Sequence, residues 1–131
     1  MLERKKIDYI PAVIQAKWSE QVLDEGFTPV PKRLIRCMHR VFTGQDAIDD
    51  LRVVLAVIDY RRPNLSRPPS VEFLAFIAGM DVEKFKERVG DLQERGFFTC
   101  TGPDEAVSIG IYGLLQRVVE LTDEDDQLAE A

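Results

Sequence analysis

The 131-residue sequence has two cysteines, one histidine and one tryptophan, and no apolar run exceeds the six residues of Val53 to Ile58. A membrane span needs roughly 20 apolar residues, so none is expected. The opening MLERKK followed by IDYIPAVIQA has the outline of a secretion signal, but Asp8, Pro11 and Gln15 interrupt its apolar part. A soluble, cytoplasmic chain is the expectation. Cys37 and Cys100 lie far apart, no C-x-x-C occurs and one histidine cannot complete a zinc ligand set. Neither a metal site nor a structural disulfide is expected, and both thiols should be reduced. His39 has no serine, cysteine or carboxylate placed by sequence to form a catalytic triad, and GFTPVP and GPDEA lack the G-x-x-x-x-G-K phosphate loop. No enzyme, cofactor or small-molecule substrate is implied.

What is present suits one single-core domain. Hydrophobic residues make up 45% and charged residues 31%, with a formal net charge of −6, which argues against a generic polyanion binder. The charge is uneven: residues 1–67 carry 12 basic and 9 acidic side chains, residues 68–131 carry 5 and 14. The two halves face different electrostatic partners.

Pro11 followed by Ile14, Trp18 and Val22, with Ile10 before it, predicts an amphipathic helix over 11–24 with Trp18 buried. Phe27-Thr28-Pro29-Val30-Pro31 permits a short edge strand at 27–30 but no helix. Over 32–42, Leu34, Ile35, Met38, Val41 and Phe42 share one arc of a helical wheel, and Lys32, Arg33, Arg36, His39 and Arg40 the other. Thr43 and Asp46 resemble a capping box before a central buried helix, 44–61, presenting Ile48, Leu51, Val54, Leu55 and Ile58. The segment RRPNLSRPP, 61–69, must be a basic loop. Ser70 caps a helix over 71–78, Gly79-Met80 turns, and Asp81 caps a second helix that runs to Arg95 before Gly96. Phe97 to Thr101 and the alternation Val107, Ile109, Ile111 read as a hairpin. A short helix carrying Leu114, Leu115, Val118, Val119 and Leu121 follows, and the acidic residues 122–131 read as a disordered tail.

The small, glycine and large apolar residues Ala75, Gly79 and Phe85, followed by Leu92, Gly96, Phe97 and Phe98, form a helix-turn-helix with a hairpin wing. The predicted class is mainly α with a small β-hairpin wing (α+β), a winged helix-turn-helix at 32–111 with an N-terminal helix-strand-helix extension at 1–31 and a C-terminal helix at 112–121. The expected core is Leu34, Met38, Leu51, Val54, Leu55, Ile58, Leu74, Ile77, Phe85, Val89, Leu92 and Phe97.

GFTPVPKRLIRCMHRVF, a buried helix, PPSVEFLAFIAGMDVEKFKERVGDLQERGFF and Tyr112-Gly113-Leu114-Leu115 together resemble the N-terminal winged-helix domain of DnaD-type bacterial replication-initiation proteins. The resemblance spans Gly26 to Leu121. It implies a non-enzymatic domain that self-associates through its helix-strand-helix, here 12–23, 27–30 and 32–42, and contacts protein partners during assembly on DNA. The family usually continues into a DNA-binding helical domain that these residues do not match, so DNA remodelling is not carried over.

On the second helix of the motif, the outward face presents Glu83, Glu87 and Glu94 with Asp91 beside them, and carboxylates near phosphates are repelled. The first reading is therefore a self-associating protein-interaction module, a homodimer or higher homo-oligomer contacting its partner through Ile10, Ile14, Trp18, Val22, Phe27, Val30, Glu83 and Glu87. The alternative is a double-stranded-DNA-binding transcriptional regulator. Its contacts would be Arg33, Arg36, Arg40, Arg61, Arg62, Arg67, Lys84 and Lys86.

Overall fold

The computed structural model describes residues 11–23, 28–60 and 68–130. Among them the chain is mainly helical with one small two-stranded antiparallel sheet, an α+β arrangement. In order come α1 (Ala12–Lys17), α2 (Glu20–Leu23), α3 (Lys32–Val41), α4 (Ala47–Asp59), α5 (Val71–Ala78), α6 (Val82–Glu94), β1 (Thr99–Thr101), a single 3-10 turn (Asp104–Ala106), β2 (Ser108–Gly110) and α7 (Tyr112–Glu130). No described helix is long and apolar enough to cross a membrane.

Local chemistry sets the α5–turn–α6 unit. The Ser70 hydroxyl accepts from the Phe73 amide at 3.1 Å and the Asp81 carboxylate from the Lys84 amide at 2.8 Å, so both helices begin at the predicted caps. Gly79 ends α5 with φ 73°, a left-handed conformation that costs a side-chain-bearing residue. Arg52 Nη2 reaches into that space and donates to the Gly79 carbonyl at 2.6 Å. Phe85, Leu74, Ala75 and Leu92 are buried where the two helices meet α4. Cys100 stands opposite Ile109 in the hairpin, and the Val107 amide donates to the Pro69 carbonyl at 3.0 Å, tying the hairpin to the start of α5. One core joins Leu34, Cys37 and Val41 of α3, Val53, Val54 and Val57 of α4, the α5–α6 junction, Phe98, Ile109 and Ile111, and Leu114, Val118 and Leu121 of α7.

Several expectations are corrected. The helix over 11–24 is two short helices, because Trp18 is extended and the Ser19 hydroxyl accepts from the Val22 amide, starting a new turn. The apolar stripe is thereby broken: Trp18, expected buried, is 51% exposed and Val22 is also exposed, while Ile14 packs on Leu23. The described part of the predicted strand, Thr28 to Val30, pairs with no strand; Val30 sits between two prolines that lack N–H donors and packs against the core. In α4 the buried face is Asp50, Val53, Val54 and Val57, with Leu51, Leu55 and Ile58 at its margins and Ile48 exposed. Asp46 makes no cap hydrogen bond with its side chain. Of the expected core, Ile77 is exposed and Met38, Val89 and Phe97 are half-buried. The largest correction is at the end: the residues read as a short helix and a disordered tail form one helix to Glu130.

Candidate nucleic-acid interface

Helix α3 carries Leu34, Cys37 and Val41 inward, which turns Arg33, Arg36 and Arg40 to the same outer side. That basic face meets the acidic end of α7. Arg33 Nη1 lies 3.2 Å from Asp123 Oδ1, Arg36 Nη2 2.7 Å from Asp126 Oδ1, and Arg40 is forked between Asp125 Oδ1 at 2.7 Å and Glu124 Oε2 at 3.3 Å. The hydrogen bond from Arg36 to Asp126 raises the guanidinium pKa above its ordinary value. All seven side chains keep a third or more of their surface in water, where ion pairs are individually weak and screened by salt.

The apolar anchoring of α7 stops just before this contact. Leu114, Val118 and Leu121 are buried, and the fully buried Thr122 hydroxyl donates to the Val118 carbonyl at 2.9 Å. Beyond Thr122 the helix has no buried side chain among the described residues, and Leu128 is exposed. Past Thr122, the ion pairs that hold the helix to the body are those of Asp123 to Asp126 with the arginines. Like charges at and just before this segment, Glu120 and Glu124 at i,i+4 and Asp123 and Asp126 at i,i+3, oppose the helix when no cations are near.

The two lysines of the expected DNA contacts are also engaged. Lys86 Nζ sits 2.7 Å from Asp104 Oδ2 in the hairpin turn, a hydrogen bond that raises its pKa, and Lys84 Nζ stands 3.7 and 3.8 Å from Asp46 and Asp49. Glu83, Glu87 and Glu94 are exposed on the outer side of α6, as the wheel predicts, Glu87 with one oxygen 3.7 Å from Arg88 Nη1, while Asp91 turns back toward Arg88 and Arg95. Arg61, Arg62, Arg67, Ile10 and Phe27 lie outside the described residues.

Sequence reasoning missed the ionic centre of the domain. Arg88, on the buried side of α6, donates through Nε to Asp50 Oδ1 at 2.7 Å and through Nη2 to Asp91 Oδ2 at 2.8 Å. Nη1 faces Asp46 Oδ2 at 3.3 Å, and Arg95 links Asp50, at 3.4 Å, to the Val41 carbonyl at the end of α3, at 2.8 Å. The hydrogen bond that Arg88 donates to Asp50 outweighs burial and raises the Arg88 pKa. The available signal was a charge inside each apolar stripe: Asp50 between Val53, Val54 and Val57, and Arg88 between Phe85 and Leu92.

A 320 Å³ depression lined by Ser70, Val71, Glu72, Val82, Asp104 and Glu105 lies where α5, α6 and the hairpin turn converge. Among the described residues no group of three His, Cys, Asp or Glu is placed to hold a metal ion. Large apolar side chains left in water include Val13, Trp18 and Val22 of the N-terminal helices and Phe73, Phe76 and Ile77 of α5, Phe76 being 77% exposed. Comparison with protein-family models, with curated proteins and with solved structures finds no match to this chain.

Proposed function

We infer that the chain is a non-enzymatic winged helix-turn-helix protein, of the kind the resemblance to DnaD-type N-terminal domains implies, acting as a self-associating assembly module in a DNA-associated process such as replication initiation. The order α5, turn, α6, hairpin supports the winged-helix reading. The observation that carries the function is the acidic outer face of α6. A reading helix brings donors to base edges and phosphates, whereas Glu83 and Glu87 suit a basic protein surface. The exposed Trp18 and Val22 supply apolar area for a second copy.

Sedimentation velocity over a wide concentration range tests this reading. A reversible dimer or higher oligomer is expected, weakened by Trp18→Ala with Val22→Ser, which leave the core intact because both side chains are exposed. A chain that stays monomeric at every concentration overturns self-association. Tight binding of the unmodified chain to random duplex DNA at moderate salt overturns the assembly role in favour of a regulator.

A further inference from the structure

We propose that Arg33, Arg36 and Arg40 form a latent binding face for the phosphate backbone of duplex nucleic acid, closed in the resting chain by its own acidic segment, Asp123 to Asp126. This goes beyond the assembly reading and does not depend on it.

Three observations converge. First, the three guanidiniums stand on one side of α3, the outer two seven positions apart, about 10 Å of helix axis, the rise over which one DNA strand presents about three phosphates. Second, each already holds an anion: the four carboxylate contacts, at 2.7 to 3.3 Å, occupy the guanidiniums as phosphate oxygens would. Third, the occupant is releasable. Past Thr122 its described side chains lie outside the core, so the segment can swing away without opening any apolar contact. Internal carboxylates therefore compete for the same cations as an incoming phosphate chain, and the internal copy is favoured by its high effective concentration.

Nucleic acid fits this face better than an acidic protein segment. Its condensed counterions are released when arginines replace them, a gain that a short acidic peptide provides only weakly. DNA bound to the opened face displaces the carboxylates into water, where they recruit cations of their own. The closed chain should accordingly show a shallower salt dependence than an opened one.

The test uses the full chain and a random 20-base-pair duplex followed by fluorescence anisotropy. Replacing Asp123, Asp125 and Asp126 by Asn and Glu124 by Gln opens the face, and four ordinary exposed ion pairs released together correspond to about a 10- to 100-fold gain in affinity. With three phosphates engaged, the opened variant should bind about 40-fold more weakly at 200 mM than at 50 mM salt. Adding Arg33→Gln, Arg36→Gln and Arg40→Gln should erase the gain. A control neutralising Glu72, Glu94, Glu105 and Glu120 to Gln removes the same charge from outside the contact and should gain less than threefold. The proposal fails if the opened variant binds no better than the unmodified chain, if its gain survives the arginine changes, or if the control gains equally. It also fails if polyglutamate of matched charge competes with the duplex as well as unlabelled duplex does. Far-UV circular dichroism confirms that each variant retains its helices; should the opened variant lose them, Asp123→Ala with Asp126→Ala, which frees Arg33 and Arg36 and favours the helix, gives the same readout with a smaller gain.

Discussion

Replacing Arg88 by alanine removes the guanidinium at the centre of the buried ionic network and leaves Asp50, whose side chain is 2% exposed, with only Arg95 at 3.4 Å. Taking one partner from a buried pair leaves a charge that water cannot reach, at a cost of about 3–5 kcal/mol. Asp46 and Asp91 are affected less, because each keeps a third or more of its side chain in water. An unfolding entropy of about 2.1 cal/mol/K per residue over 131 residues converts this cost into a melting point lowered by about 11–18 °C. The pair as a whole behaves differently from either half. Arg88→Met with Asp50→Leu keeps the volume apolar and leaves Arg95 its Val41 carbonyl, so the double variant should recover most of the loss. Urea unfolding of the two single variants and the double measures the coupling. An Arg88→Ala penalty below about 1 kcal/mol, or a double variant as unstable as the sum of the singles, refutes the view that Asp50 and Arg88 form a desolvated, mutually dependent pair.

Two glycines should respond to alanine with opposite signs. A Cβ on Gly113 would fall 1.8 Å from the Gly96 carbonyl oxygen, which is backbone and cannot rotate away, so Gly113→Ala should cost at least the upper part of the 1–3 kcal/mol range roughly expected of overpacking. Gly90 lies inside α6 with nothing within 4 Å of the added atom, and Gly90→Ala should stabilise by about 0.5–1 kcal/mol in the same urea assay. Burial pushes the Cys37 thiol above its ordinary pKa; its contribution is thus complete below the unfolded thiol pKa and is lost as pH rises through the folded one. Thermal melts should fall as pH rises past the unfolded thiol's pKa of about 8.5, less steeply for Cys37→Ala, and Cys37 should react with a thiol reagent only on unfolding.

How far the fold was legible depends on how far apart the determining residues lie. The α5–turn–α6 unit is written within 25 residues by two caps, a left-handed glycine and apolar spacing, so the sequence alone suffices there. The facing of α4 was not, because the continuous apolar run Val53 to Ile58 has almost no helical periodicity; the buried Asp50, paired with a cation 38 positions away, decides its rotation. The end of α7 was least legible. Its composition reads as disorder, yet Asp123 meets Arg33 across 90 positions, and no local rule contains that arginine. If α3 supplies the order, a peptide of residues 112–130 should be mostly non-helical alone, since Gly113, the β-branched Val118, Val119 and Thr122 and the clustered carboxylates all disfavour an isolated helix. Salt then acts with opposite signs in the two settings. In the peptide it screens repulsion among the acids and should raise the helical circular-dichroism signal, whereas in the intact chain it screens attraction to the arginines and should lower amide protection over 123–130. A peptide as helical as the intact segment, or protection that is indifferent to salt, would show that the segment orders itself, and that Arg33, Arg36 and Arg40 merely decorate a helix that needs no partner.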